Sequence, residues 1–283
     1  MRSSFDKKLV DLSVSNFAEE TASESMAPGG GSIAAYVGAL GVSLGTMVAN
    51  LSAHKPGWDA QWEYFSNWAE KGQTYKNELL FLVDEDTNAF NKIIEGFRLP
   101  KTNHKEIEIR DKAIEEATKY ATEIPLKVME TAYKSIEVLL EMMKKGLQNS
   151  LSDGGVGVLS AKTAVTGAYF NVRINAKDIK DRKFADTILA KAANIYKETI
   201  ALENEMMKMI DECINVLRRD HLLVTDHYNK MGQCSDFIDN RHDQSILSLV
   251  RKKHGSIVLT DETYFQPFGN KESLKFPFWA TRK

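Results

Sequence analysis

The chain has little of what disulfide-stapled proteins, metal centres and nucleic-acid binders are built from. Only two of its 283 residues are cysteine, and six are proline. Cys213 and Cys234 are too few for a disulfide framework and have no partner at metal-ligand spacing, which suits a reducing, cytoplasmic setting. The six histidines (His54, His104, His221, His227, His242 and His254) form no H-x-x-x-H pair, so no metal site is expected. An excess of one charge is missing too: 37 Lys and Arg face 39 Asp and Glu, a formal net charge of −2. No long-range field draws such a chain to nucleic acid or anionic lipid, and Arg251-Lys252-Lys253 lacks interleaved aromatics. Residues 1–8 hold no apolar run, so no secretory leader is expected. Gly29-Gly30-Gly31-Ser32 lacks the G-K-[ST] of a phosphate loop, which excludes an ATPase of that kind.

Sustained period-two alternation is also absent before residue 220, and helical spacing takes its place. Helical segments are expected over about 9–24, 32–53, 58–97, 104–145, 158–175 and 178–219. Pro28-Gly29-Gly30-Gly31 separates the first two, Pro56-Gly57 ends the next, and Pro125 is expected to break or kink the segment 104–145. A second Gly- and Ser-rich loop is expected over 149–157. The fold class is all-α: a bundle of long helices with two small-residue-rich core helices. From Asp220 the texture changes, with Tyr264, Phe265, Phe268, Phe276, Phe278 and Trp279 beside Pro267 and Pro277. The expected organisation is a helical domain over 1–219 and an irregular C-terminal appendage over 220–283, with one short strand at 256–260.

Two helices carry the same pattern. In the first, 22 residues from Ser32 to Ala53 include no charge, which is long enough to cross a bilayer. Its Gly, Ala, Ser and Thr content makes it weakly hydrophobic, so a buried helix is the better reading. Ala34, Gly38, Gly41, Gly45 and Ala49 fall on one face at spacings of 4, 3, 4 and 4. Gly157, Ala161, Ala164 and Ala168 repeat that stripe in the second helix, which continues as Asn171 and Asn175. An interior Gly costs about 1 kcal/mol of helix stability relative to Ala, so something must offset it. Close helix packing does so, within or between subunits, and the Gly-rich segments leading into both helices can also bind a ligand at their N-termini.

One carboxylate sits on an apolar face. Over 58–97 that face reads Leu79, Leu80, Val83, Phe90, Ile93, Ile94 and Phe97, and Asp86 lies between Val83 and Phe90. Asp84 shares the polar side with Asn88 and Asn91, and Glu85 is off the stripe as well. A buried, ionised carboxylate must be paired, protonated or open to a wet cavity. Asp86 therefore either caps or pairs with a neighbouring element, or is tuned for acid–base work or ligand binding. Lys55, Lys162 and Arg173 lie close to the two special helices and can meet an anionic ligand or serve as ordinary surface charges.

Read in order, six motifs resemble the cyclodeaminase/cyclohydrolase family, the C-terminal half of bifunctional formiminotransferase-cyclodeaminase. They are Ala27-Pro28-Gly29-Gly30-Gly31-Ser32 with Gly38-Ala39-Leu40-Gly41; Met47-Val48-Ala49-Asn50-Leu51; Val83-Asp84-Glu85-Asp86 with Ala89-Phe90; Ile124-Pro125; Ser152-Asp153-Gly154-Gly155-Val156-Gly157; and Asn171-Val172 with Ile174-Asn175. The resemblance covers roughly 9–210. It implies a cofactor-free homodimer or higher homo-oligomer whose folate cleft forms near a subunit interface, with no membrane or nucleic-acid partner. It further implies conversion of 5-formimidoyltetrahydrofolate to 5,10-methenyltetrahydrofolate and ammonia, with methenyltetrahydrofolate cyclohydrolase as the alternative. A formiminotransferase is an expected partner, and a non-catalytic oligomeric scaffold is the reading from another class.

In either reaction Asp86 is the expected acid/base group or pterin anchor, with Asp153 the next carboxylate for the same roles. Gly29, Gly30, Gly31, Ser32, Phe90 and Gly154 are expected to line the cleft. Asn50, Asn171 and Asn175 are expected to bond the polar edge of the ligand, and Lys55, Lys162 and Arg173 to attract its (poly)glutamate tail.

Overall fold

Six α-helices follow one another through residues 8–147 and 150–219, the part of the chain that a computed structural model describes. They are α1 (Val14–Ala22), α2 (Gly30–Ala53), α3 (Trp62–Arg98), α4 (His104–Lys145), α5 (Leu151–Lys177) and α6 (Arg182–Arg219). Short 3₁₀ turns at Leu9–Asp11 and Asp59–Gln61 precede α1 and α3. No strand occurs among the described residues, as the helical periodicity predicts. The expected appendage over 220–283 and its strand lie outside them.

Local signals set the helix ends. Ser13 Oγ accepts from Asn16 N at 3.2 Å and caps α1. Asn103 Oδ1 accepts from Glu106 N at 3.0 Å, and the Glu106 carboxylate accepts from Thr102 N at 2.8 Å, so α4 starts on a reciprocal cap. At its other end Lys144 and Lys145 face the negative pole of the helix just before Gly146. After α2 the chain turns through Gly57, whose φ of 81° favours glycine.

Two expectations change. α4 is one continuous helix, and Pro125 lies buried within it rather than breaking it. Proline has no N–H to give the carbonyl four residues back, which leaves Ala121 O without its helical donor. Asn175 of α5 supplies that donor, from Nδ2 at 2.7 Å. The second glycine segment is not a loop either, because α5 starts at Leu151 and contains Gly154, Gly155 and Gly157. These glycines admit neighbours: a Cβ on Gly157 would lie 2.9 Å from Gly41 O, and one on Gly154 would strike Met143 of α4.

The small-residue stripes of α2 and α5 face one another. A Cβ on Gly41 would lie 2.8 Å from Gly157 O, one on Gly38 3.1 Å from Ala164 Cβ, and one on Gly167 3.3 Å from Ala34 Cβ. Rising numbers on one helix meet falling numbers on the other, so the pair is antiparallel. α3 runs antiparallel to α2 as well, with Asp86 against Gly31, Leu79 against Gly38 and Thr46 against Gly72. α4 packs against α2, α3 and α5 together, and α6 lies against α5 and α4. The main core gathers Val42, Leu79, Val83, Ile124, Met129 and Val165 between these helices. α2 is the one described helix long and apolar enough to span a membrane, and most of it is buried in the bundle.

If Asn175 compensates for Pro125, Asn175→Leu costs about 1–3 kcal/mol by orphaning the Ala121 carbonyl. Pro125→Ala in that background restores a donor and recovers part of the loss. Thermal unfolding of the two single variants and the double variant measures this coupling, and strictly additive effects would refute it.

Candidate active site at the start of helix α2

The antiparallel register leaves a step between helix ends at the start of α2, called the recess below. There α2 begins at Gly30, while α3 runs on from Asp86 to Arg98, 12 residues or roughly 18 Å beyond the contact with Gly31. α5 passes on the other side, where Asn171 Nδ2 lies 3.9 Å from the place a Cβ on Gly30 would occupy. The overhang explains why Phe90 and Phe97, expected on the apolar face of α3, are 40% and 54% exposed: α2 has ended before it reaches them. Phe90 stands one turn beyond Asp86, on the ledge.

Asp86 occupies the inner corner. Its Oδ2 accepts from Ser32 Oγ at 3.1 Å, and its carboxylate also accepts from the Ser32 backbone N–H. The α2 N-cap is Gly29, which has no side chain to offer, so a residue of α3 caps α2 in its place. Gly31 permits this approach, because a Cβ there would lie 2.7 Å from Asp86 Oδ2 and closer still to the rest of the carboxylate. Burial pushes the Asp86 carboxyl above the usual carboxylate range, and the two bonds from Ser32 oppose that rise without cancelling it.

The neighbouring acids point elsewhere. Asp84 was expected on a solvated face, yet it is half-buried and accepts from Leu9 N at 2.6 Å, because the N-terminal segment lies across α3 there. Burial raises its carboxyl as well. Glu85 turns towards α4 and accepts from Tyr120 Oη; that bond, followed by burial, lifts the Tyr120 phenol to about 12. Lys92 Nζ sits 3.8 Å from the centre of the Tyr120 ring. Beyond Tyr120 a groove of about 440 Å³ opens between α3 and α4, lined by Lys92, Glu95, Leu99 and Glu116 among others, with Asp86 outside it. Nothing in the helical spacing marks Tyr120 as the partner of Glu85.

Of the expected site residues, the recess gathers Gly29, Gly30, Gly31, Ser32, Asp86, Phe90 and Asn171. Ser32 is fully buried, so it reaches the recess through Asp86 rather than by its own surface. Asn171 donates from Nδ2 to Gly167 O at 3.1 Å. Asn175, next on the stripe, is bonded to Ala121 O. Arg173 is exposed but leaves α5 on the side away from Asn171, its guanidinium 5.5 Å from the centre of the Tyr169 ring, which stacks on Tyr196 of α6.

The remaining candidates lie elsewhere in the chain. Asp153 and Gly154 begin α5, 18 residues before Asn171 and therefore about 27 Å away along the helix. Asn50 ends α2 on an exposed position and accepts from His54 N, and Lys55 Nζ stacks 4.4 Å from the Trp58 ring centre. Lys162 turns to α6 and pairs with the buried Glu203 at 2.9 Å.

No cluster of three or more His, Cys, Asp or Glu side chains suited to a metal ion occurs among the described residues. Gly41-Val42-Ser43-Leu44-Gly45 has the letters of a nucleophile elbow, but it lies mid-helix, where Ser43 Oγ donates to Ala39 O at 2.6 Å.

The family model for formiminotransferase-cyclodeaminase matches residues 13–194, which include the whole recess. The chain belongs to that family. It is 32% identical to a methenyltetrahydrofolate cyclohydrolase of Methylorubrum extorquens over 202 residues, 71% of this chain and 97% of the relative. It is 34% identical to the formimidoyltransferase-cyclodeaminase of Mus musculus over 193 residues, 68% of this chain but 36% of the relative. The chain thus spans about a third of the length of the bifunctional relatives it matches. A crystal structure of formiminotetrahydrofolate cyclodeaminase from Thermotoga maritima superposes with a TM-score of 0.64 at 23% identity, covering 72% of this chain and 98% of the other. The helical fold is therefore that of the family, whose members are folate enzymes of one-carbon metabolism.

Gly31→Ala tests the close approach of α3 to α2. The added methyl displaces the Asp86 carboxylate from Ser32, with overpacking of about 1–3 kcal/mol partly offset by better helix propensity. The expected protein is folded, moderately less stable and low in activity. Wild-type turnover in this variant would show that the Asp86–Ser32 geometry does not matter.

Proposed function

We propose that the chain is a formimidoyltetrahydrofolate cyclodeaminase, converting 5-formimidoyltetrahydrofolate to 5,10-methenyltetrahydrofolate and ammonia with Asp86 as the acid/base group. The observation that carries this reading is a carboxylate at the step where α2 begins, desolvated yet still held by Ser32. Such a group moves protons near neutral pH better than a solvated Asp does. The N10 nitrogen attacks the carbon of the formimidoyl group, whose imino nitrogen is protonated, to give a tetrahedral centre bonded to N5, N10 and the amino group. Asp86 takes the N10 proton and passes it to that amino group. The carbon–nitrogen bond breaks, ammonia leaves, and the positive charge stays on the N5–C–N10 bridge, so atoms and charge balance. Holding N10 against the carbon in a recess supplies much of the remaining acceleration. In this reading tetrahydrofolate is the carrier and no further cofactor takes part.

Asn171 offers its amide to the polar edge of the ligand and Phe90 its ring face. A formiminotransferase is the kind of enzyme that would supply the substrate. The end-to-end match to the Methylorubrum relative favours a second reading, hydrolysis of the methenyl bridge to 10-formyltetrahydrofolate in the same recess. There the Asp86 carboxylate takes a proton from the attacking water.

Absorbance of the methenyl bridge separates the two. Growth of the chromophore with ammonia release from the formimidoyl substrate establishes the cyclodeaminase; faster loss of it from the methenyl substrate establishes the cyclohydrolase. Asp86→Asn is the informative variant, because Asn can still accept from Ser32 and cap α2 but cannot carry a proton. Turnover is expected to fall 10²–10⁴-fold, the usual loss for a general acid–base group, while the fold is kept. A folded Asp86→Asn protein with full activity would remove Asp86 from the chemistry.

We also propose that the chain self-associates through the outward faces of α2 and α5. Leu40, Met47 and Leu51 of α2 and Val156 and Leu159 of α5 are exposed, and α2 brings no charge to that surface. Leu159→Glu is expected to leave the helical content intact and lower the native mass. An unchanged mass would move the interface elsewhere.

A further inference from the structure

Ser32 and Thr87 have no place of their own in that reaction, yet they form a chain of hydroxyls behind the acid/base group. Ser32 Oγ donates to Asp86 Oδ2 at 3.1 Å and has no exposed surface, so it touches no ligand. The next hydroxyl is Thr87 Oγ1, 3.5 Å from Ser32 Oγ. Because the Ser32 proton is committed to Asp86, the Ser32 oxygen is left as the acceptor for Thr87. Thr87 follows Asp86 on α3, and Ser32 belongs to α2, so the chain crosses the helix–helix contact twice. Gly31 adds the steric side of the same arrangement, since only a missing Cβ allows the carboxylate to sit between its donors.

We infer that Ser32 is a positioning residue for Asp86 in the proposed reaction, and that Thr87 orients the Ser32 hydroxyl. Together they hold the carboxylate in one rotamer, with the ionised form favoured and one edge turned to the recess. This inference rests on the reading of Asp86 as the acid/base group. The charged groups nearest in sequence are spent elsewhere, Asp84 on Leu9 N and Glu85 on Tyr120, and α2 carries no charge between residues 32 and 53. Burial and the Ser32 bonds, not a neighbouring ion, govern the protonation of Asp86.

The sign of the effect follows. Removing a donor to the ionised carboxylate disfavours that form, so the Asp86 carboxyl rises further and the base becomes available only at higher pH. A hydrogen bond to a charged group contributes about 1.5–3 kcal/mol, so its loss moves the acidic limb by roughly one to two pH units and lowers kcat about ten-fold or more at a pH on that limb. KM should change little, because Ser32 does not meet the ligand.

The test is the pH profile of kcat for wild type, Ser32→Ala, Thr87→Val and Thr87→Ser, with folding checked by thermal melting. A carboxyl carbon-13 titration of the same proteins, with the Asp86 signal identified from its loss in Asp86→Asn, follows the group without turnover. The acidic limb and the Asp86 midpoint should both move to higher pH in Ser32→Ala, and less so in Thr87→Val. Thr87→Ser, which keeps the hydroxyl, should stay close to wild type. An unmoved limb and midpoint in folded Ser32→Ala would overturn the inference, as would a KM effect without a kcat effect. If Asp86→Asn is fully active, the acid/base reading fails and this inference with it. If Asp86→Asn is inactive while Ser32→Ala keeps the wild-type profile, only the positioning role fails.

Discussion

At Gly41 and Gly157 two helix backbones lie against one another with no side chain between them, and most of the architecture follows from that contact. It requires a stripe of Gly and Ala on both partners, which explains how two helices tolerate glycines that each cost about 1 kcal/mol in an isolated helix. It fixes an antiparallel register, which carries Gly30 to Asn171 and, 18 residues away, leaves Asp153 at the far end of the molecule. With so little room between them, α2 and α5 turn their larger apolar side chains either into the core or outward. Val42 and Val165 take the first course, and Leu40, Met47, Leu51, Val156 and Leu159 take the second. The same stripe that builds the interior thus also leaves an apolar exterior.

How far this could be read in the sequence depends on whether the cause was local. The helices, their caps and the two stripes are statements about residues three or four apart, and periodicity finds them. The inward direction of Asp86 is of the same kind. What failed was anything decided by a partner from another element. Gly154 and Gly157 have the composition of a loop, and only Met143, Leu139 and Gly41 make them helical. Pro125 reads as a break until Asn175, 50 residues later, supplies the donor that Ala121 lacks. Asp84 reads as solvated because nothing in α3 says that Leu9 will lie across it. Lys162 reads as a free cation because Glu203 belongs to a helix that follows much later.

The recess itself combines the two kinds of cause. Its floor, Gly29 to Ser32, is a local stop-and-start signal, whereas its depth is a difference in length. α3 outlasts α2 by about three turns, and no motif encodes that overhang. Phe90 and Phe97 therefore look like core residues in sequence and end up exposed on a ledge.

One turn of α3 shows how three consecutive acids are held apart. Asp84, Glu85 and Asp86 leave the helix about 100° apart, and each is tied to a different element: the N-terminal segment, α4 and α2. Three consecutive acids would repel one another on an exposed helix, but here each charge is drawn towards its own donor and away from its neighbours. Two of the three anchors end there, since Leu9 N–H and Tyr120 Oη have no further role in the recess. The third differs because its donors come from the start of a helix whose own N-cap is a glycine. α2 needs an acceptor there to satisfy its first amides, and the proposed chemistry needs a carboxylate whose ionised form is held but not quenched. A single Asp meets both demands because an N-cap bond uses only part of a carboxylate. A lysine or arginine partner would satisfy the charge and silence the base, and its absence from α2 between residues 32 and 53 keeps Asp86 available.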